Sequence, residues 1–426
     1  MKNQSITEAM LQFIEESPTA FHAAANVEAL LLENGFEKLE NLAEGALVPG
    51  GSYYTMQNGS AVLAVKIPEN PAKGFRIAAS HSDSPCFKIK EVPEMKVENT
   101  YVKLNVEKYG GMILSPWLDR PLSVAGRVFV AGKDGKPEVK LVNLKKDLLI
   151  IPNVAIHFNR EINNGFAYNP QTDMAPLMGL DQELSIKKLC AEAADVAEEE
   201  ILGSDLYVYN RDKGRIMGAD DSLIGSPRLD DLQCAYATLR GFLASKPEEF
   251  ISVYALFDNE EVGSGTKQGA DSTFLEEFLE IVLENIYPDK NRLWKRSFYQ
   301  NSFLLSADNG HAVHPNHPEK TDPTNRPYLN GGIVIKYHGS QKYTTDGISA
   351  ARMKDYCELA KVPYQTYANR SDIAGGSTLG NISTAHVSVS SVDIGLPQLA
   401  MHSAVETAGM KDTEYAVRAL KEFWGE

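Results

Sequence analysis

The spacing of apolar residues changes from helical to alternating early in the chain. In SITEAMLQFIEESPTAFHAAANVEALLLENGFEKL, apolar side chains recur at helical spacing on both sides of a break at 17–19. This predicts two helices, with a Ser or Thr of the break as the cap of the second. The following SYYTMQNGSAVLAVKI alternates around Asn58-Gly59, a dipeptide typical of hairpin turns. FRIAASHSDSP then predicts a further strand that ends in a polar loop.

Between residues 91 and 218 the pattern consists of short alternating segments. MKVENTYVKLNVEKY, LSVAGRVFVAG and KPEVKLVNL alternate in this way and are separated by Gly, Asp and Pro turns. The pattern predicts a β-rich insertion rather than βαβ units. The acidic run AEAADVAEEE inside it is typical of a solvated helix face or a loop.

Helices and strands alternate in the rest of the chain. PRLDDLQCAYATLRGFLAS has the spacing of an amphipathic helix, and ISVYALF, SFLLSAD, GGIVIKY and HVSVSSVDIG are predicted strands. This order predicts an α/β fold with a central mixed sheet flanked by helices. Residues 1–90 and 219–426 would form this domain, interrupted by a β-rich domain of residues 91–218.

Length and charge exclude several classes of function. At 426 residues the chain exceeds what one hydrophobic core usually serves, which agrees with two domains. The formal net charge of -15 argues against a nucleic-acid partner, because such binding needs a basic surface. No apolar run has membrane-spanning length and the N-terminal segment lacks the apolar region of a signal peptide, so we expect a cytoplasmic protein without a membrane partner. The four cysteines are scattered, which predicts neither a disulfide framework nor a thiolate zinc site.

Polar clusters follow the predicted strands, where α/β sheets usually bind their ligands. His81 and Asp83 lie two apart in an extended segment, so Asp83 can accept the second ring N–H of His81. Asp230 precedes an amphipathic helix, where helix capping is the ordinary explanation. Asp308 and His402 also follow predicted strands. Each of these motifs, taken singly, is more often an ordinary polar surface.

Three histidines follow Asp308 at three-residue spacing in SADNGHAVHPNHPEK. The spacing of His311, His314 and His317 suggests a zinc site made of histidines alone. Prolines between and after them exclude a regular helix, so the three rings need not share a face. We therefore do not expect all three to bind metal.

The stretch FDNEEVGS places two adjacent glutamates at the end of a predicted buried strand. Neighbouring like charges cost stability unless a cation lies between them or the turn is simply hydrated. In a metal centre, Glu261 would be a ligand and Glu260 a general base that takes a proton from an activated water and passes it to a leaving amine.

Taken together, the strand ends and strand-to-helix turns of one α/β sheet predict a two-metal site. Its five ligands would be His81, Asp230, Glu261, Asp308 and His402. Two imidazoles with carboxylates suit zinc, manganese or cobalt better than magnesium. With one bridging carboxylate, each ion has one histidine and one further carboxylate, and a shared water becomes acidic enough for hydrolysis.

The ordered set of motifs resembles the M18 metallopeptidases, the aspartyl aminopeptidase family. The resemblance rests on SHSDSP, SPRLDDL, FDNEEVGS, SADNGHAVHPNHPEK, GGIVIKY and LPQLAMHSAVET and, with weaker matches near the start and at IPNVAIHFNREIN, spans essentially the whole chain. It implies a di-zinc aminopeptidase that removes the N-terminal residue from peptide substrates. Two Zn2+ ions would bind per subunit, with Co2+ or Mn2+ as substitutes; Asp230 would bridge them, Glu260 would be the base, and Asp83 would support the first histidine.

The resemblance also implies features beyond the metal ligands. The β-rich insertion would be a dimerisation domain from which His157 reaches the neighbouring subunit's active site, and the dimers would assemble into a tetrahedral homododecamer. Preference for acidic N-terminal residues is one option, because ANRSDIAGGSTLG differs from the animal enzymes and other branches prefer neutral or basic residues. The substrate pocket would be lined by His311, Lys336, Tyr343, Gly375 and Gly376.

Two other classes of function fit the same residues. Another two-metal amide hydrolase, a deacylase or a carboxypeptidase, would use the same ligands and base, because the pocket walls set the substrate. A metal-stabilised assembly scaffold without turnover would need the ligands but not a base such as Glu260. Substrates with a free amine or a free carboxylate separate the enzymes from each other.

Overall fold

The computed structural model describes residues 5–40, 47–132 and 135–425. The helices in these ranges are α1 (Ile6–Glu16), α2 (Ala20–Glu33), α3 (Pro170–Asp173), α4 (Ile186–Ala194), α5 (Leu229–Ala244), α6 (Phe274–Ile286), α7 (Arg292–Gln300), α8 (Gly347–Ala360), α9 (Leu379–His386) and α10 (Asp412–Trp424). The strands are β1 (Glu37–Lys38), β2 (Ser52–Gln57), β3 (Ala61–Lys66), β4 (Phe75–His81), β5 (Cys86–Val97), β6 (Tyr101–Tyr109), β7 (Leu122–Ala131), β8 (Pro137–Asn143), β9 (Leu177–Gly179), β10 (Ile201–Asn210), β11 (Arg215–Met217), β12 (Leu223–Ser226), β13 (Ile251–Phe257), β14 (Phe303–Ala307), β15 (Gly310–His311), β16 (Ile333–Tyr337), β17 (Tyr364–Ala368), β18 (Ser390–Gly395), β19 (Pro397–Leu399) and β20 (Glu406–Gly409). None of the helices in these described ranges is long and apolar enough to cross a membrane.

Nine strands form the central sheet, in the order β1-β2-β3-β13-β4-β14-β18-β16-β17. Strands β13, β4, β14 and β18 run parallel to one another, whereas β3 and β16 are antiparallel to the neighbours on either side of this block. The mixed sheet predicted from the sequence is therefore confirmed. Parallel neighbours bring their carboxyl ends to one edge, which is where a site is expected in such a fold.

Helices cover both faces of the central sheet. Successive residues of a strand point to opposite faces, and accordingly Ala78 and Tyr254 pack with buried residues of α1, α2, α5, α8 and α10. Ile77 and Val253 pack on the other face with buried residues of α6, α7 and α9. Fully burying an aliphatic side chain contributes about 1.5–3 kcal/mol, so this two-sided core fixes the strand ends rigidly.

A second sheet has six antiparallel strands in the order β8-β7-β10-β5-β6-β9. All six lie between Cys86 and Asn210, so the alternating segments predicted there are strands. Helix α4 packs on this sheet through Ile186 and Cys190 and closes a separate hydrophobic core. The role of this region as a dimerisation domain stays a prediction.

Local predictions near the N-terminus are confirmed with one difference. Helices α1 and α2 flank the break at 17–19, and the hairpin of β2 and β3 turns at Asn58 and Gly59, both with positive φ. Thr19 stands at the start of α2, but its hydroxyl lies 2.9 Å from the His22 ring and makes no cap hydrogen bond.

Gly332, just before β16, is a position where only glycine fits. Its φ is +84°, and a Cβ there would overlap the Pro363 carbonyl oxygen that accepts the Ile333 N–H. We expect Gly332→Ala to lower the free energy of unfolding by about 3 kcal/mol, since positive φ and backbone overlap add. Gly347→Ala is the matched control, because a Cβ at Gly347 meets nothing within 4 Å. Thermal unfolding measures both, and equal melting temperatures would contradict the argument.

Candidate active site

Three neighbouring parallel strands bring the first group of polar residues together. Strand β4 ends at His81, which is directly paired with Phe257 at the end of β13. The turn that carries Glu260 and Glu261 follows β13, and Asp308 follows β14 on the other side of β4. These side chains therefore converge at the carboxyl edge of the central sheet, as the sequence predicts.

Asp230 and His402 come from a different element. A third sheet, with the order β11-β12-β20-β19-β15, lies beside the central one. Asp230 follows β12, and His402 lies in the turn between β19 and β20. The prediction that all five candidate ligands lie at the ends of one sheet is therefore wrong. The third sheet could not be recognised from the sequence, because its strands of two to four residues are too short to show alternation.

Asp230 occupies the centre of the cluster. Its Oδ1 atom lies 3.5 Å from His81 Nε2, and its Oδ2 atom lies 3.5 Å from His402 Nε2. Ligand atoms around one tetrahedral zinc ion are about 3.3 Å apart, given zinc–ligand bonds of about 2.0–2.1 Å. The two oxygens of one buried carboxylate thus face two separate histidines, which is the arrangement of a bridging ligand.

Each histidine ring is held from behind by a backbone carbonyl. His81 Nδ1 lies 3.1 Å from the Asp83 carbonyl oxygen, and His402 Nδ1 lies 2.6 Å from the Gly111 carbonyl oxygen. A carbonyl only accepts, so Nδ1 carries the proton in both rings and Nε2 is left free to bind a metal.

The remaining candidate ligands complete two groups that share Asp230. Asp308 Oδ1 lies 3.8 Å from His81 Nε2, and Glu261 Oε2 lies 3.3 Å from His402 Nε2. Burial raises the pKa of Glu261, and the Asp230 charge raises it further. For Asp230 itself, burial favours the neutral carboxyl, but the adjacent His402 and His81 rings hold the pKa below its usual range.

The cluster fits metal ions by an independent criterion. Asp230 Oδ1 and Glu261 Oε1 are buried and have no hydrogen-bond partner among the residues that the structure describes. A buried unpartnered carboxylate oxygen costs about 1–3 kcal/mol or more, and a cation satisfies it. Potential ligand atoms from His81, Asp230 and Asp308, and from Asp230, Glu261 and His402, lie within 4.8 Å of one another. Histidine with carboxylate is a donor set suited to zinc.

Glu260 lies beside these ligands and outside the two groups that share Asp230, although one of its carboxylate oxygens lies within 4.8 Å of potential ligand atoms of His81 and Glu261. Burial raises the pKa of Glu260 to about 8 against the opposing effect of His81, and the charge of Asp308 adds to the rise. Its backbone N–H donates to Asp83 Oδ1 at 3.1 Å, which fixes the turn. A carboxyl whose pKa lies near neutrality can both take up and release a proton.

Two acidic residues of the centre, Asp231 and Glu406, were not predicted from the sequence. Asp231 is fully buried and accepts the backbone N–H groups of His81 and Asn309, both at 3.2 Å. Glu406 accepts the Asp230 N–H at 3.0 Å and the His402 N–H at 2.7 Å. Both lie close to a candidate ligand in the sequence, in LDDL and HSAVET, which is the one signal that pointed to them.

The predicted pocket residues fall into two groups. His311, Gly375 and Gly376 line an open cleft beside the metal cluster, together with Gln398. Lys336 is instead buried, with Nζ donating to the Asn309 carbonyl at 3.0 Å. Tyr343, the last predicted pocket residue, is buried below the Lys336 ammonium. Of the three histidines that follow Asp308, His314 and His317 are exposed.

His157 lies apart from the cluster within this chain. Its side chain is exposed in the turn that follows Ile150. Among the described residues, no hydrogen bond or ion pair connects it to the candidate ligands. Whether His157 acts across a subunit contact stays a prediction.

The fold and the site define a metal-dependent hydrolase: histidines and carboxylates converge at one edge of an α/β sheet, with a further carboxylate beside them. A family model described as aminopeptidase I zinc metalloprotease (M18) matches residues 13–424. The chain therefore belongs to the M18 family of zinc metalloproteases, and it is a metalloaminopeptidase.

Relatives match over the full length of the chain. It is 45% identical over 433 residues to the probable M18 family aminopeptidase 2 of Clostridium acetobutylicum, with 100% of both chains covered. Identity to the protein of the same name from Pseudomonas putida is 37% over 429 residues, covering 99% of this chain and 98% of that one.

Solved structures share the fold. A chain in the cryo-EM structure of the Ape4 and Nbr1 complex matches with a TM-score of 0.94 at 33% identity, covering 99% of this chain and 85% of that chain. The S. cerevisiae mApe1 dodecamer matches with a TM-score of 0.87 at 25% identity, covering 98% and 96%. These values bear out the predicted aminopeptidase fold.

Proposed function

We propose that the chain is a two-metal aminopeptidase in which Asp230 bridges the ions and Glu260 is the general base. The observation that carries the proposal is the position of the Asp230 carboxylate, with one oxygen toward each histidine. His81 and Asp308 would complete one zinc site, and His402 and Glu261 would complete the other. Cobalt or manganese would substitute, since neither requires different donor atoms.

The residues around the proposed ions have separate roles in hydrolysis. When bound, the ions would acidify a water molecule and polarise the carbonyl group of the scissile bond. Glu260 takes the proton of the attacking water and returns it to the nitrogen of the leaving amine. The Asp83 carboxylate holds Glu260 in place by accepting the Glu260 backbone N–H. The Glu406 carboxylate accepts the backbone N–H groups of Asp230 and His402 and so holds both residues.

The cleft beside the site supports a preference for acidic N-terminal residues. Its lining includes the cationic side chains of Lys320 and Arg370, of which Arg370 is paired with Asp372 at 2.8 Å, and the ring of His311, whose pKa desolvation in the cleft holds below its usual range. Asp322 also lies in the lining, and its carboxylate accepts hydrogen bonds from the backbone N–H groups of Thr324 and Asn325 at 3.0 and 2.8 Å. Lys320 is therefore the cationic group of this lining that would pair with a carboxylate of the substrate.

The proposed quaternary structure rests on the second sheet and its loops. Beside His157, the side chains of Val154, Ile156 and Phe158 are exposed, Phe158 by 87%. Exposed apolar side chains in one loop are typical of a protein interface, which supports dimerisation through residues 91–218, with His157 entering the site of the neighbouring subunit. The related mApe1 is a dodecamer, and we extend that assembly to this chain as a tetrahedral dodecamer of dimers. Four free cysteines support a cytoplasmic location.

A panel of aminoacyl p-nitroanilides and short peptides tests the proposal with zinc-, manganese- and cobalt-loaded protein. We expect release of N-terminal residues and a kcat/KM for Asp and Glu about tenfold or more above that for Leu, a difference of about 1.4 kcal/mol. N-acetylated peptides are the matched control and should not be cleaved. Higher values for Leu or Arg would contradict the acidic preference alone. Cleavage of N-acylated substrates would indicate a deacylase or carboxypeptidase, and metal binding without any turnover would indicate a scaffold.

A further inference from the structure

The end of strand β6, in the second sheet, contacts the centre of the proposed active site. The Tyr109 hydroxyl lies 2.7 Å from Asp83 Oδ2 and 2.8 Å from Asn259 Nδ2. Tyr109 therefore reaches from the second sheet to loops that follow β4 and β13 in the central sheet. Neither the sequence motifs nor the predicted ligand set includes this residue.

The Asp83 carboxylate is the point through which this contact reaches the catalytic turn. Its Oδ1 accepts the Glu260 N–H and its Oδ2 accepts the Glu261 N–H, both at 3.1 Å. Asp83 Oδ1 is also 3.3 Å from His81 Nδ1. One carboxylate thus fixes the backbone of the proposed base, the backbone of one ligand and the ring of another.

The direction of the Tyr109 hydrogen bond follows from the partners of Asn259. The Asn259 side-chain oxygen accepts from Thr266 Oγ1 and Gln268 Nε2, both at 2.8 Å. Its amide nitrogen must therefore face Tyr109 and donate to the hydroxyl oxygen. The hydroxyl hydrogen is left for Asp83, and burial raises the pKa of Tyr109, so the hydroxyl keeps its proton.

The two residues after Tyr109 support the other half of the centre. The Gly111 carbonyl holds the His402 ring, and the Ile113 N–H donates to the His402 carbonyl at 3.0 Å. Gly110 has φ +79°, and a Cβ there would lie 3.2 Å from the Glu261 Cβ. The segment 109–111 therefore contacts the Glu261 and His402 group directly and reaches His81 through Asp83, from the side of the second sheet.

We propose that Tyr109 is a positioning residue for the reaction: by donating to Asp83 and accepting from Asn259, it holds the turn that carries Glu260 and Glu261 in register with the His81 ring. This rests on the proposed role of Glu260 as the base. Loss of the hydroxyl leaves Asp83 free to turn, which displaces both the base and a ligand. Residues that hold metal ligands from behind commonly change metal affinity or activity 10–100-fold.

Tyr109→Phe tests this, since it removes the hydroxyl and keeps the ring, which packs edge-on against Tyr207 at 5.6 Å. We expect kcat to fall 10–100-fold with KM changed less than about threefold, and zinc to be lost to a competing chelator at about tenfold lower chelator concentration. The melting temperature of the metal-free protein should stay near that of the wild type. Tyr207→Phe is the matched control, because its hydroxyl is not among the donors to Asp83, and it should leave all three values unchanged.

The outcomes separate this inference from the proposed function. Unchanged kcat and zinc retention in Tyr109→Phe would overturn the positioning role, as would a loss confined to KM or an equal loss in Tyr207→Phe. A wild type that releases no N-terminal residue from any peptide of the panel would overturn the proposed function instead. In that case the zinc competition, which needs no substrate, still decides whether Tyr109 supports the metal centre.

Discussion

Glu260→Gln is expected to lower kcat about a thousandfold while the protein keeps its metal ions. Gln has the shape of Glu but takes up no proton near neutral pH, so the water keeps its proton and the leaving amine receives none. General acid–base catalysis by one side chain contributes about 10²–10⁴-fold. Glu260 lies within 4.8 Å of potential ligand atoms of His81 and Glu261 but outside the two groups that share Asp230, and Gln keeps one side-chain oxygen there, so metal content and KM should change little.

Glu280→Gln makes the same replacement on the exposed side of α6 and serves as the control. Steady-state kinetics and elemental analysis of the dialysed proteins give the comparison. If Glu260→Gln kept more than about a tenth of the wild-type kcat, the assignment of the base would be wrong. If it lost metal and activity together, Glu260 would be a ligand.

Asp230→Asn should abolish measurable turnover and remove at least one of the two proposed metal ions. An Asn side chain has one oxygen and one NH2 group, and the NH2 group cannot bind a cation. Only one of the two histidines then keeps an oxygen of residue 230 facing it, so the side chain can no longer bridge two ions. A hundredfold weaker affinity corresponds to about 2.7 kcal/mol less stabilisation by the metal, so the rise in melting temperature on adding zinc should be smaller than in the wild type.

Asp221→Asn is a matched control for this change. Asp221 is exposed and has φ 53°, a conformation that Asn adopts readily. It should leave zinc content and turnover unchanged. Two equivalents of zinc retained by Asp230→Asn, with activity above about a tenth of the wild type, would exclude Asp230 as the bridge.

The sequence predicted those parts of the centre that depend on residue type and on strong local patterns. Fully apolar segments such as ISVYALF identify buried strands, and a buried strand that ends in FDNEE places charge where the sheet edge lies. His81, Glu261 and Asp308 could therefore be located together, because they follow neighbouring parallel strands.

The parts that were not predicted depend on contacts between distant segments. The hydrogen bond between Asn259 and Tyr109 joins residues 150 positions apart, and the one between His402 and Gly111 spans 291 positions. No local pattern records such a pairing. The third sheet was not predicted for a different reason. Its strands are too short to show alternation, and their register is fixed by tertiary packing rather than by propensity.

The order in which the chain leaves the ribosome adds a consequence for biosynthesis. Strand β4 carries His81, yet the Arg76 carbonyl of this strand accepts a hydrogen bond from the Trp424 indole, 348 positions later. At roughly 5–20 residues per second of translation, the first histidine is made well before α10 packs on its strand and before His402 exists. A nascent chain therefore carries an incomplete set of donors until His402 has been made. Peptide hydrolysis by the proposed centre therefore requires that residues up to Trp424 have been made and that α10 has packed on the strand of the first histidine.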